Sequence, residues 1–296
     1  MKVNGIEILV GSDPELFVKK DNAFLSGHDL IPGTKEEPHP VRGVAVQVDG
    51  TALEFNTVPA KNRRAFHRST NAVLKALQEM IPDELVLVAN PTARFAREYM
   101  RGLPEKALEL GCDPDYNAYS GMQNPVPNAN LNFRTGAGHI HVGWTDVEDP
   151  FDANHMSECR ALVQAMDVFL GAPSILIDRD DDRRRLYGKA GAFRPKTYGV
   201  EYRVLSNFWV LNPLLRGWVY NNTIEAVKRM MDHDNALVEH YGYPAEAING
   251  NDREYARKVI GMFDVPLPRS LAIAEKKKRL DRLVNVPPAF LIGGNW

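Results

Sequence analysis

Residues 136–144 read GAGHIHVGW. In a strand, residues two apart point the same way. His139 and His141 therefore share one face, and Ile140, Val142 and Trp144 share the other. Three further segments divide in the same manner. In GSDPELFV (11–18), Asp13 and Glu15 oppose Leu16 and Val18. In ALEFNTV (52–58), Glu54 and Asn56 oppose Leu53 and Phe55. In VEYRVLS (200–206), Glu201 and Arg203 oppose Tyr202 and Val204. Any half-exposed antiparallel strand alternates, and a lone Glu201-Tyr202-Arg203 reads as a surface ion pair. The distinguishing feature is that all four polar sides hold chelating or charged types. If the strands form one sheet, its open face gathers three Glu, one Asp, two His and one Arg. So many carboxylates repel unless cations sit among them. Carboxylates with one or two imidazoles suit Mg²⁺ or Mn²⁺.

Working outward, Asp49-Gly50 is a two-residue hairpin signal between runs 44–48 and 52–58. Short strands are expected at 6–10, 15–19, 23–25 and 84–89. Residues 28–40, with three prolines and Gly33, and residues 111–132 read as loops. Helices are expected over about 62–81, ended by Pro82; 153–170, stopped by Gly171 and Pro173; 213–240; 252–262; and 270–283. No repeat, linker or low-complexity tract appears. The expectation is one α+β domain over 1–296, with a mostly helical part from about 213 onward.

Composition bounds the function. With 44% apolar and 25% charged residues, the 296-residue chain has the make-up of a globular protein. Its 36 basic and 38 acidic residues leave a net charge of −2, which argues against nucleic-acid binding by bulk charge. Two cysteines, Cys112 and Cys159, form no disulfide framework. The N-terminus lacks the apolar core of a signal peptide. The greasiest stretch, residues 204–220, is broken by Asn207, Asn212, Pro213 and Arg216, so no membrane span is expected. A cytoplasmic location is expected.

A basic segment, IDRDDDRRRLYGKAGAFRPKTYG (177–199), precedes the Glu201 strand. Arg179, Arg183, Arg184, Arg185, Lys189, Arg194 and Lys196 are interspersed with Gly188 and Gly191. Arginine forks grip phosphate oxygens, and glycines let a backbone approach a ligand. The neighbouring aspartates offer a plainer reading, a charge-paired loop. Beside a divalent-metal site the segment points to a nucleotide triphosphate. No P-loop or G-x-G-x-x-G motif is present, so any ATP site is of another type.

In this order, the segments resemble the carboxylate–amine ligase superfamily, which includes glutamine synthetase and glutamate–cysteine ligase. GSDPELF resembles the opening acid strand, with Asp13 where Glu is usual. LEFNTVP resembles E-x-x-T-x-P, GAGHIHVG resembles G-x-H-x-H, and GVEYR resembles the closing E-x-R strand. With RRRLYGKAGAFR, the whole looks most like the phage amidoligases of type 2, over roughly residues 10–210.

The resemblance implies a curved antiparallel β-sheet with helices on its outer face, like the glutamine synthetase catalytic domain. It also implies ATP, two or three Mg²⁺ ions (Mn²⁺ substituting), and amide-bond formation through an acyl phosphate. By matching, Glu15 and Glu54 form one metal site, and Asp13, His139 and Glu201 another. Near Glu54 a second acid is expected, and only Asp49 there bears charge. Arg203 neutralises the transferring phosphoryl group, with Glu201 beside it as the other catalytic position. Arg184 or Arg185 holds ATP phosphates, helped by Lys189 and Arg194, and His141 meets nucleotide or substrate. Asn56 and Tyr187 are the candidate substrate contacts. The partners implied are a small-molecule or peptide carboxylate and an amine.

Two rivals stand beside this reading. A Zn²⁺ hydrolase also uses His-x-His on a strand, but here the polar face is mostly carboxylate with Arg. A non-catalytic phage protein on a ligase scaffold would not need to keep every metal residue.

Overall fold

The computed structural model describes residues 1–108, 114–125, 132–178, 180–232 and 242–284, with side chains in the last stretch described to residue 276. Cys112, Arg179, residues 111–113 and 126–131 of the expected loop, and 233–240 of the expected helix over 213–240 lie outside the described residues.

The acid-bearing strands fall in two antiparallel sheets rather than one. The first has the order Tyr116–Asn117, Ala192–Lys196, Gly199–Tyr202, Ile140–Gly143, Leu9–Ser12. The second has the order Ala23–Leu25, Glu15–Lys20, Ala52–Asn56, Val44–Asp49, His39–Val41, with Val86–Val88 also paired to Glu15–Lys20. The break falls at Asp13-Pro14, because proline has no N–H for a ladder. Across it the sheets stay in contact: Thr57 N–H donates to Ser12 O (2.9 Å) and Phe55 N–H to Pro14 O (3.3 Å). The result is a curled antiparallel half-barrel with helices, an α+β architecture.

The hairpin forms, one residue later than expected. Asp49 pairs with Ala52, so Gly50-Thr51 is the turn, with Gly50 at φ +56°. A glycine at the first turn position gives the twist that matches paired strands. Leu53 and Phe55 are fully buried, and Glu54 faces the other way, directly opposite Glu15. The 28–40 loop contributes one short strand at its end, His39–Val41.

The helix Arg63–Met80 starts at Asn62, whose side chain accepts from Ala65 N–H, and buries Phe66, Val73 and Leu77 against the second sheet. Gly171 and Pro173 do not stop the next helix. Ala153–Met166 widens into a π turn over Asp167–Gly171 and resumes as Ala172–Ile177. The wider turn leaves the proline without a missing bond to repair, since Pro173 sits in the first turn of the resumed helix. By length and composition this 153–177 stretch is apolar enough to cross a membrane, which the sequence reading did not anticipate. However, 78% of its apolar window is buried inside the protein. It packs on the first sheet's strands Ala192–Lys196 and Gly199–Tyr202, and it covers the face that carries Tyr202. Pro213–Met231 and Arg253–Met262 complete the helical layer, and Arg269–Val284 follows them in the chain.

Candidate active site

Register assembles the site. Glu201 is the direct partner of His141 on one side and of Arg194 on the other, and His141 is in turn paired with Gly11. Side chains directly opposite on paired strands lie within contact reach. Three side chains therefore form one row on the open face, and Gly11 leaves its end clear. Tyr202, Ile140 and Phe193, the next row, are fully buried on the helix side.

Asp13, at the break between the sheets, completes the cluster. Its Oδ1 lies 3.0 Å from His141 Nε2 and 3.6 Å from His139 Nδ1. His139 Nδ1 is also 3.3 Å from Glu201 Oε1. Arg203 contacts Glu201 directly, and its Nε donates to Asp115 Oδ2 at 3.2 Å. Lys196 Nζ lies 2.9 Å from Glu201 Oε2, and Arg194 Nη1 3.9 Å from Oε1. The His141 Nδ1 contacts the Tyr198 hydroxyl.

These contacts set the charges. Burial and Asp13 push the Glu201 carboxyl up, but Arg203, His139 and His141 outweigh them and hold it at about 2. Burial also raises Asp13, yet the two imidazoles bring it well below the carboxylate range. His139 falls to about 4, through burial and then Arg203, and so accepts from Arg203 as a neutral ring. For His141, burial works against the charged form, and Asp13 and Glu201 raise it nonetheless. Glu15 rises to about 7 through burial and Asp49. Glu54 rises well above its ordinary value through burial, then Asp13, Asp49 and Glu15.

Among the described residues, one group presents three ligand atoms within 4.8 Å of one another: Asp13, His141 and Glu201. Asp13 Oδ1 and His141 Nε2 are buried and neither makes a well-angled hydrogen bond. Two carboxylates and one imidazole gathered this closely fit a divalent cation of the Mg²⁺ or Mn²⁺ type. The imidazole of this set is His141, whereas the motif match puts His139 there.

Two hollows flank the cluster. One is a charged cleft lined by Glu15, Asp49, Asp115, Arg134, His139, Arg183, Tyr187 and Arg203. The other is a mainly apolar groove lined by Leu9, Gly11, Asn56, Thr57, Pro59, His141, Gly143 and Tyr198. Asn56 and Tyr187 thus border different hollows.

The basic segment folds otherwise than a phosphate loop. Asp180 caps a short helix, Asp181–Leu186, by accepting from Asp182 and Arg183 N–H. Consecutive helical residues turn by about 100°, so three arginines in a row diverge. Only Arg183 reaches the charged cleft. Arg184 turns into the protein, against Asp178, the Asp180 carbonyl and Asn251. Arg185 stands on the surface beside Asp182, and Lys189 is not among the residues lining either hollow. The structure thus brings neither Arg184 nor Arg185, the expected phosphate ligands, to either hollow. Asp115, Arg134 and Tyr198 were not singled out from sequence, and Arg183 and Lys196 were named only as members of the basic segment. For Lys196, two residues beyond Arg194, the strand alternation was a usable signal. For Asp115 and Arg134 there was none.

Residues 122–283 match the phage phiEco32-like COOH·NH₂ ligase-type 2 family, more than half the chain. The protein belongs to that family, and its class is thus carboxylate–amine ligase. No match was found among curated proteins.

Proposed function

We propose that this protein joins a carboxylate to an amine at the expense of ATP, through an acyl phosphate. One observation carries the reading. Asp13, His139, His141, Glu201 and Arg203 converge from separate parts of the chain at the boundary between a charged cleft and an apolar groove. In this reading the carboxylate substrate enters the cleft, where Arg183 and Arg203 offer positive charge. The nucleotide lies along the groove with its phosphates toward Glu201.

Asp13, His141 and Glu201 would hold one Mg²⁺ or Mn²⁺. When bound, the ion offsets negative charge on phosphate oxygens. Arg203 approaches the same oxygens from the side opposite His141 and fixes the transferring group. Arg203, His139 and His141 keep Glu201 ionised, and Lys196 and Arg194 lie beside its two oxygens. The substrate carboxylate attacks the γ-phosphorus, ADP leaves, and the amine then displaces phosphate from the acyl carbon.

The test is ADP release with Mg²⁺ over paired amino acids, polyamines and peptides. Release that requires both a carboxylate and an amine is expected. Substrate cleavage without nucleotide would favour the hydrolase instead, and no ADP with any pair would defeat the proposal.

A further inference from the structure

Motif matching asks for a second metal at Glu15 and Glu54, and the structure builds that corner differently. The two residues are direct partners across paired strands. Like charges so placed repel. Each already spends an oxygen on a protein donor. Glu15 Oε2 accepts from Ala137 N–H at 2.9 Å, and Glu54 Oε2 from Gln47 Nε2 at 2.8 Å. Gln47 is the direct partner of Glu54 on the next strand, so an amide stands where a third acid would complete a ligand set. The remaining acid, Asp49, is held by Lys35 Nζ at 2.8 Å. The Lys35 ammonium also interacts electrostatically with Glu54 and Glu15.

The segment that brings Lys35 there is fixed. Val48 N–H donates to Gly33 O at 3.1 Å. Gly33 sits at φ +99°, and a Cβ there would lie 2.4 Å from Val46 O, so only glycine lets the loop dock this closely. Thr34 and Glu37 close the turn around Lys35 through Thr34 N–H to Glu37 O and Glu37 N–H to Thr34 Oγ1.

We propose that the Lys35 ammonium takes the place of a second divalent ion, and that the chain itself holds one ion, at Asp13, His141 and Glu201. The proposal rests on the metal reading given above. An ammonium supplies one positive charge and three donors, but no exchangeable coordination position. It can balance the acids at this corner without binding a phosphate oxygen directly to a metal.

Mn²⁺ alone, without nucleotide, counts the sites by calorimetry and by loss of the free-ion paramagnetic signal. The wild type is expected to bind one ion per chain. Glu201→Gln should lose it and Glu54→Gln should keep it. Lys35→Met should gain a second ion within the titration range, because removing a positive charge a few ångströms away favours a divalent ion by roughly tenfold or more. Lys35→Gln repeats the test should the methionine variant fold poorly. Two ions in the wild type, with the second lost in Glu54→Gln, would overturn the proposal. So would a lysine variant that gains none. No ion at all in the wild type would instead defeat the metal reading itself.

Discussion

Asp167 offers a quantitative test of how the site sheet is anchored from behind. It lies in the π turn and is fully buried. Its Oδ1 accepts from the Tyr202 hydroxyl at 2.7 Å, and its Oδ2 from Gly191 N–H at 2.7 Å and the Tyr119 hydroxyl at 3.0 Å. Tyr202 stands between Glu201 and Arg203, so this carboxyl is one residue from the chemistry. Among the described residues no Lys or Arg nitrogen is recorded in ion-pair contact with it. Burial lifts its pKa from 3.8 to about 7, against the pull of its three donors.

The native state therefore binds the proton more tightly than the unfolded chain. The contribution of Asp167 to stability is greatest below about pH 4 and falls as pH rises toward 7. Above 7 the full penalty stays. A rise of about three pKa units corresponds to at most about 4 kcal/mol. Asp167→Asn has no such proton. Denaturant unfolding of both proteins from pH 4 to pH 9 should show the asparagine variant gaining on the wild type as pH rises, by up to about 4 kcal/mol. Other titrating groups, Glu15 among them, cancel in the difference. Two unfolding curves that run parallel to within about 1 kcal/mol across that range would refute the reasoning.

Three shorter predictions concern the site and its frame. Arg203→Ala should lose roughly a hundredfold in turnover, about 3 kcal/mol, while keeping most of its ATP affinity, and Lys should rescue it only in part. Steady-state ADP release measures this, and a near-normal rate would remove Arg203 from the mechanism. Arg185→Ala should shift stability by less than about 0.5 kcal/mol, whereas Arg184→Ala should cost about 3 kcal/mol by stranding the buried Asp178. Thermal melts compare the two, and equal effects would reverse their placement. Gly199→Ala should destabilise the fold by more than about 2 kcal/mol, because φ is +147° and a Cβ would lie 2.1 Å from Val142 O. A melting temperature equal to the wild type's would show that the strands bearing His141 and Glu201 are looser than described.

Much of the site was legible as alternation. Glu15, Glu54, His139, His141, Glu201 and Arg203 sit two residues from, or beside, their apolar counterparts, and a period of two is a local property of the backbone. The helix beginning at Asn62 was equally local, since a cap and a stripe of apolar residues are read within a few turns. What the sequence could not supply depends on partners far along the chain. The division into two sheets at Pro14 follows from which strand edges meet. That Arg183 rather than Arg184 faces the cleft depends on the orientation of one short helix. Asp115 meets Arg203 across 88 residues, Tyr198 meets His141 across 57, and Lys35 finds Asp49 through a loop docked on Val48. No spacing rule encodes such meetings, because register, burial and loop closure settle them only when the whole chain is folded.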